Sequence, residues 1–208
     1  MDLYLVSTNP ENTMLLSVNG VAHYQISTTC SILGSRITKI SRPAVASDDS
    51  IVAEIEWKNR TTPTILRSPL LGGAGQCIGT PGTGVRALNY LYKRHRFSPS
   101  RYFIGDDAQE YRWKIDRGVG NTLTRSDAGV PIATSSWTTV AEGVFAGDKR
   151  QVLRIQPCSI DIDLIVLTFI IMETKRREKD GYADKYDATR DEEPQGDCGV
   201  DIGATGEL

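Results

Sequence analysis

Short runs of alternating apolar and polar residues, broken by turn residues, occupy most of the first 155 positions of the chain. A period of two is the mark of strands with one face in a core. Met14–Val18 and Val21–Ile26 flank Asn19-Gly20, a dipeptide that favours the type I′ hairpin turn because both central residues need positive φ. Arg36–Ile40 predicts the next strand. Ile51, Ala53, Ile55 and Trp57 then alternate with Val52, Glu54, Glu56 and Lys58, which predicts a strand with its acidic side turned away from the core. Arg101–Ile104 and Glu110–Ile115 flank a turn at Gly105-Asp106-Asp107, and shorter strands are predicted at 130–133, 137–140 and 150–155. Many short strands with turn signals between them indicate a sandwich or barrel.

One segment breaks the pattern. In Ile160–Met172, ten of thirteen residues are apolar. A membrane-spanning helix needs about 20 such residues, so this is a core element. Its Ile and Val content leans toward strand. Its unbroken length leans toward helix. Ser159 as N-cap, Asp161 and Asp163 in a first turn, and Lys175, Arg176 and Arg177 at the far end would all suit a helix dipole. A helix apolar nearly all round must be surrounded by protein.

Charge divides the chain. Residues 173–208 hold six basic and eleven acidic residues, and fourteen of residues 173–193 are charged. Such a stretch cannot bury enough apolar surface to offset its ordering entropy, so 1–178 is predicted as one folded domain and 179–208 as a disordered acidic tail. The body is mildly basic, without the concentrated basic face of a nucleic-acid binder. Cys30, Cys77, Cys158 and Cys198 are scattered and form no disulfide framework. The first ten residues lack a signal peptide's basic and apolar regions, which predicts a cytoplasmic protein.

Motif chemistry is sparse. The Gly-rich loop 71–84 contains no Gly-Lys dipeptide and no third glycine at the dinucleotide spacing, so it reads as a mobile surface loop rather than a phosphate cradle. His23 and His95 are the only histidines, too few for a zinc site of the usual spacing. No metal and no cofactor is expected. A Cys–His nucleophile would need a proximity that sequence does not reveal, and Asp161 and Asp163 read as helix caps rather than an acid/base pair.

Arg101–Asp107, Glu110–Lys114 and Asp161–Phe169 together resemble a family of small uncharacterised basidiomycete proteins. That family is grouped with the tubby C-terminal-like fold, alongside LURP-one-related proteins and phospholipid scramblases. The resemblance runs from about residue 10 to 178. Asp107 stands where the family pattern has Gly. It implies a mainly β chain, an antiparallel tubby-like barrel of about twelve strands around a central hydrophobic C-terminal helix. Tubby relatives bind phosphoinositides and scramblase relatives associate with membranes, but fold does not fix function.

The candidate ligand site is the basic aromatic stretch: Lys93, Arg94, His95, Arg96, Arg101, Tyr111, Arg112, Trp113 and Lys114. Residues 86–117 hold eight basic and four acidic residues. On a strand Tyr111 and Trp113 share one face, Arg112 and Lys114 the other. The plain alternative is that the aromatics are core and the basic side chains a solvated face. The functional expectation is a non-enzymatic module for an anionic membrane lipid or small acidic ligand, peripheral at a membrane and without a transmembrane segment. The competing expectation is a cofactor-free enzyme, an isomerase or cyclase, in a rim pocket. Deleting 180–208 should shift the thermal midpoint, followed by circular dichroism, by no more than a few degrees; a large loss would show that the tail docks.

Overall fold

The computed structural model describes residues 1–30, 35–43, 51–57, 63–80, 82–116 and 120–180. The tail predicted at 179–208 lies outside the described residues beyond Asp180. Twelve strands form a single antiparallel sheet. They are β1 (Asp2–Leu5), β2 (Thr13–Leu16), β3 (Ala22–Cys30), β4 (Arg36–Ser41), β5 (Ile51–Glu56), β6 (Ile65–Arg67), β7 (Val85–Arg86), β8 (Arg101–Ile104), β9 (Glu110–Asp116), β10 (Gly120–Arg125), β11 (Pro131–Thr139) and β12 (Lys149–Ile155). A one-turn helix α1 (Ala87–Tyr90) precedes β8, and a long helix α2 (Ile162–Asp180) follows β12. Two meanders, β1 to β7 and β8 to β12, are joined where β1 pairs with β12.

The expected strand number and C-terminal helix are present, but the sheet is open rather than a closed barrel. Its ends are β7 and β8, which do not pair with each other. The physical reason is the chain between them. Segment 87–100 continues from β7, with Ala87 N–H donating to Thr64 O just before β6, and meets the β8 edge through a single bridge joining Tyr92 to Tyr102.

Helix α2 is buried from Asp163 to Thr174 without a break. Twelve successive buried positions span all sides of a helix, so protein surrounds it. Its polar groups reach strands across the sheet. Tyr24 of β3 donates to Asp163 (2.6 Å), Trp113 of β9 donates its indole N–H to Thr168 (2.9 Å), and Asn121 of β10 donates to Glu173 (2.8 Å). Arg177 donates to Gln151 of β12 (2.5 Å). One helix can touch β3, β9, β10 and β12 together only if the sheet curls around it.

The helix starts two residues later than expected. Asp161 is its cap: the Asp163 N–H bonds the Asp161 carboxylate (2.8 Å), and Leu164 and Ile165 bond its carbonyl. Ser159 instead donates to Asp107 (2.5 Å) in the β8–β9 turn.

Two further expectations change. In the β2–β3 hairpin Gly20 N–H bonds Ser17 O, Ser17 N–H bonds Val21 O, and only Gly20 has positive φ (79°). The turn is therefore centred on Val18-Asn19 with Gly20 in the bulge position, not type I′. The β8–β9 turn repeats this geometry, with Ala108 (φ 59°) in the glycine's place. Second, the outer side of β5 is covered. Glu54 is 2% exposed because the Gly-rich loop folds over it: Gly79 N–H donates to its carboxylate (2.7 Å), and Arg67 Nη1 lies 3.7 Å away. Arg67 also donates to Thr83 O (2.9 Å) and to Glu56. The loop, expected as a mobile surface segment, is thus hydrogen-bonded to the charged side chains of Glu54 and Arg67.

Burial alone would push the Glu173 carboxyl up, but hydrogen bonds and charge from Arg176 and Arg177 hold it below the ordinary carboxylate value. A lowered carboxyl contributes stability above its unfolded value and loses it as pH falls through the folded one. Glu173→Ala should therefore cost about 3–5 kcal/mol in urea denaturation at pH 7, and the wild-type advantage should shrink toward acid pH. An advantage independent of pH would contradict this.

Candidate functional site

The candidate residues sit on β8, β9 and the irregular segment before them, and the strand register sorts them into two faces. Arg101 is paired with Trp113, Tyr102 with Arg112, and Phe103 with Tyr111. Directly opposed residues share a face. Tyr111 and Trp113 are 1% and 0% exposed, so their face is the core, and neither reaches a surface ligand. Tyr111 donates to Asp107 (2.7 Å), and Trp113 packs on Phe169. The plain alternative holds for both aromatics.

On the outer face three of the expected residues meet. The Arg94 guanidinium lies over the Tyr102 ring, 4.6 Å from its centroid, and Tyr102 is the cross-strand partner of Arg112. Lys114 continues the row on β9, exposed. Part of this charge is balanced: Arg94 and the Tyr92 hydroxyl both donate to Glu110. The hydrogen bonds from Tyr92 and Ser126, with the Arg94 charge, hold the Glu110 carboxyl below its ordinary value. The run 93–96 is exposed throughout. Lys93 Nζ donates to Arg96 O (3.0 Å), folding the run into a compact loop. At its tip Phe97 is 91% exposed, the most exposed large apolar side chain among the described residues, with Arg96 5.8 Å from its ring. The sequence offered no signal for this: Phe97 ends an aromatic-rich run that could equally have been core.

Arg101 departs from the expected basic surface. It shares the inward face with Trp113, and its Nε and Nη1 are buried without an acceptor. Burial pulls its guanidinium below the ordinary value. Lys175 of α2 lies within range of its charge. Burial, and then the Arg101 and Lys93 charges, push the Lys175 ammonium down to about 8, with Glu178 opposing.

At the opposite end of α2, His23, Tyr24, Arg42, Cys158, Ile160 and Asp161 line a cleft of about 500 Å³. Arg42 grips Asp163 through two hydrogen bonds of 2.8 Å, and the Tyr24 hydroxyl takes the same carboxylate. The fold thus brings His23 and Cys158 to one cleft, which sequence could not show. Burial and the nearby Asp107 and Asp106 push the Cys158 thiol up, the reverse of what a nucleophilic thiolate requires. Among the described residues, no three His, Cys, Asp or Glu side chains are grouped to hold a metal, and no helix is long and apolar enough to cross a membrane.

Residues 8–178 match the profile of DUF6593, a family of unknown function. The chain belongs to this family. The matched span of the DUF6593 chain takes in the exposed loop, Arg101 and Lys175, and it leaves β1 outside. No curated protein matches the chain. An X-ray structure of a protein from Arabidopsis thaliana is similar at 12% identity, over 85% of this chain and 91% of that one, with a TM-score of 0.35.

Lys175 carries a sharp expectation. An ammonium whose folded value is lowered costs stability while it is charged, so stability should rise with pH between about 8 and 10, where the unfolded state binds more protons. Lys175→Met should raise the thermal midpoint at pH 7 and abolish that rise. Equal pH profiles of the two proteins by calorimetry would show that the cluster exerts no such strain.

Proposed function

We propose that the chain is a non-enzymatic binding module that docks reversibly on anionic membrane surfaces through loop 93–97. The observation that carries this reading is Phe97, 91% exposed among Lys93, Arg94, His95 and Arg96. An apolar wedge ringed by cations suits the headgroup boundary, where each basic residue is worth about 1 kcal/mol and the ring gains by leaving water. Residues 91–101 contain no acidic residue to oppose it. Glu110 offsets one charge by pairing with Arg94, while Arg112 and Lys114 extend the basic face behind the loop. A single ring and a few charges make an attachment that salt and competitors release, not an anchor. The resemblance to the tubby-like group supports the same reading.

The competing enzymatic reading would use the His23 cleft. In its favour is the convergence of His23, Tyr24 and Arg42 on one concavity. Against it, Tyr24 and Arg42 are already bonded to Asp163, and the Cys158 thiol is raised.

Co-sedimentation with neutral vesicles and with vesicles containing phosphatidylserine tests the membrane reading at two salt concentrations. The wild type should pellet with the anionic vesicles and less so at high salt, as the Debye length shrinks from about 10 Å at 0.1 M to about 3 Å at 1 M. Phe97→Ser should weaken binding without altering the melting curve. Equal binding to both vesicle types, or none to either, would overturn the reading.

A further inference from the structure

The register of β8 and β9 fixes where the exposed loop stands relative to α2. Trp113 bonds Thr168, and two residues further along β9, Ile115 pairs with Asn121, which bonds Glu173. Passing from Trp113 to Ile115 is therefore a step toward the C-terminal end of α2. Arg101 of the antiparallel β8 pairs with Trp113, so the chain just before Arg101 continues in that same direction. Loop 93–100 thus stands at the rim where α2 finishes.

Most cations at this rim are already matched. Arg176 and Arg177 bond Glu173, Arg36 faces Glu11 and Glu178, and Arg94 bonds Glu110. Lys93 and Arg96 have no carboxylate partner among the described residues. Lys93 Nζ donates to the Arg96 carbonyl, and the Arg96 guanidinium lies 5.8 Å from the centroid of the exposed Phe97 ring. An occupant suited to this loop is acidic and carries an aromatic or apolar element for the ring.

The chain itself supplies one. Residues 181–208 hold eight acidic and two basic residues. Tyr182 and Tyr186 come first, and Asp191-Glu192-Glu193 follows. A chain spans at most about 3.3–3.6 Å per residue, so the eleven residues from Asp180 to Asp191 give that acidic run a reach of up to about 36 Å. That is more than twice the radius of gyration of a domain of this size, about 16 Å.

We propose that segment 181–208 docks on loop 93–97 of its own chain, with Asp191-Glu192-Glu193 pairing with Lys93 and Arg96, and so competes with anionic surfaces for that loop. The docking stands on charge and register; the competition rests on the membrane reading above. Tethering holds the acidic run at an effective concentration on the order of 1 mM, so a contact weak in itself is occupied. Exposed ion pairs add little stability, in keeping with the small change in midpoint expected on deleting 180–208. A densely anionic surface offers more charges than the segment and displaces it, whereas a sparsely charged one does not.

Cys30, Cys77 and Cys158 are exposed, so Cys30→Ser, Cys77→Ser and Cys158→Ser leave Cys198, five residues beyond Glu193, as the one site for a nitroxide in the full chain. By NMR the label should broaden the amide signals of Lys93–Phe97 at low salt, independently of protein concentration, and not at about 1 M salt, where the Debye length is about 3 Å. Asp191→Asn, Glu192→Gln and Glu193→Gln together should remove the broadening, as should Lys93→Glu with Arg96→Glu. The same tail variant should bind phosphatidylserine vesicles about fivefold or more tightly than wild type, the factor that one released cation is worth at an anionic surface. No broadening at low salt, broadening that grows with protein concentration, or broadening unchanged in either variant would overturn the docking. Equal vesicle binding by the tail variant and wild type would overturn the competition. The two readings fail separately: vesicle binding without broadening removes the docking and leaves the membrane contact, and broadening without vesicle binding does the reverse.

Discussion

The fold depends on one constraint: a helix buried on every side still carries polar groups, and three of them find their partners in the wall. Asp163, Thr168 and Glu173 lie along α2 at successive depths. They take hydrogen bonds from Tyr24 on β3 and from Trp113 and Asn121 on the neighbouring strands β9 and β10, far from β3 in the sheet order. An unsatisfied buried carboxylate or hydroxyl would cost on the order of 1–3 kcal/mol, more for the charged ones. The apolar wall alone would tolerate rotation or sliding of the helix, since Leu, Ile and Phe contacts are interchangeable to first order. The three polar contacts remove that freedom. They also dictate the curl of the sheet, because only a curved surface presents β3, β9 and β10 to one axis.

A filled interior moves any recognition to the ends and edges. The two ends of α2 differ in charge. Near its start stand Asp106, Asp107, Asp161 and Asp163, partly answered by Arg42. Near its finish stand Lys175, Arg176 and Arg177, with Arg101 from the wall. This polarity follows the helix dipole, positive at the N-terminus and negative at the C-terminus. Arg176 and Arg177 are balanced by Glu173. Arg101 Nε and Nη1 are buried with no acceptor among the described residues. The open sheet adds to this asymmetry. The edge at β8 is covered by an irregular segment instead of another strand, and that segment carries the most exposed aromatic ring among the described residues.

Local chemistry explains the turns better than dipeptide rules do. Asn19-Gly20 looks like a type I′ turn from its letters, yet the bulge in the β2–β3 register needs the longer loop. The same loop at Gly105–Gln109 places Ala108 at positive φ, a conformation that costs an L-residue roughly 1 kcal/mol. The neighbouring Asp107 offsets that strain. It accepts from Gln109 N–H, Tyr111 and Ser159 at once, tying the hairpin to the chain just before α2. The aspartate that departs from the resembled pattern is therefore a structural clamp.

The sequence by itself determined the strand-rich class, the β2–β3 and β8–β9 hairpins, the strands at β4 and β5, and the existence of one segment too apolar to be anywhere but inside. Those features are written in local periodicity, which depends only on neighbours in the chain. It also assigned the faces of β9 correctly, since Tyr111 and Trp113 alternate with Arg112 and Lys114. What it could not carry is which face of a strand another part of the chain covers. Glu54 has the alternation of a solvated residue and is buried, because a loop more than twenty residues away folds over it. Arg101 has the look of a surface cation and points inward, because its cross-strand partner is Trp113. His23 and Cys158 meet at one cleft although 135 positions separate them. Period two says that two faces differ; only the contacts between distant elements decide which of them meets water, and that decision set the environment of every charged group considered for function.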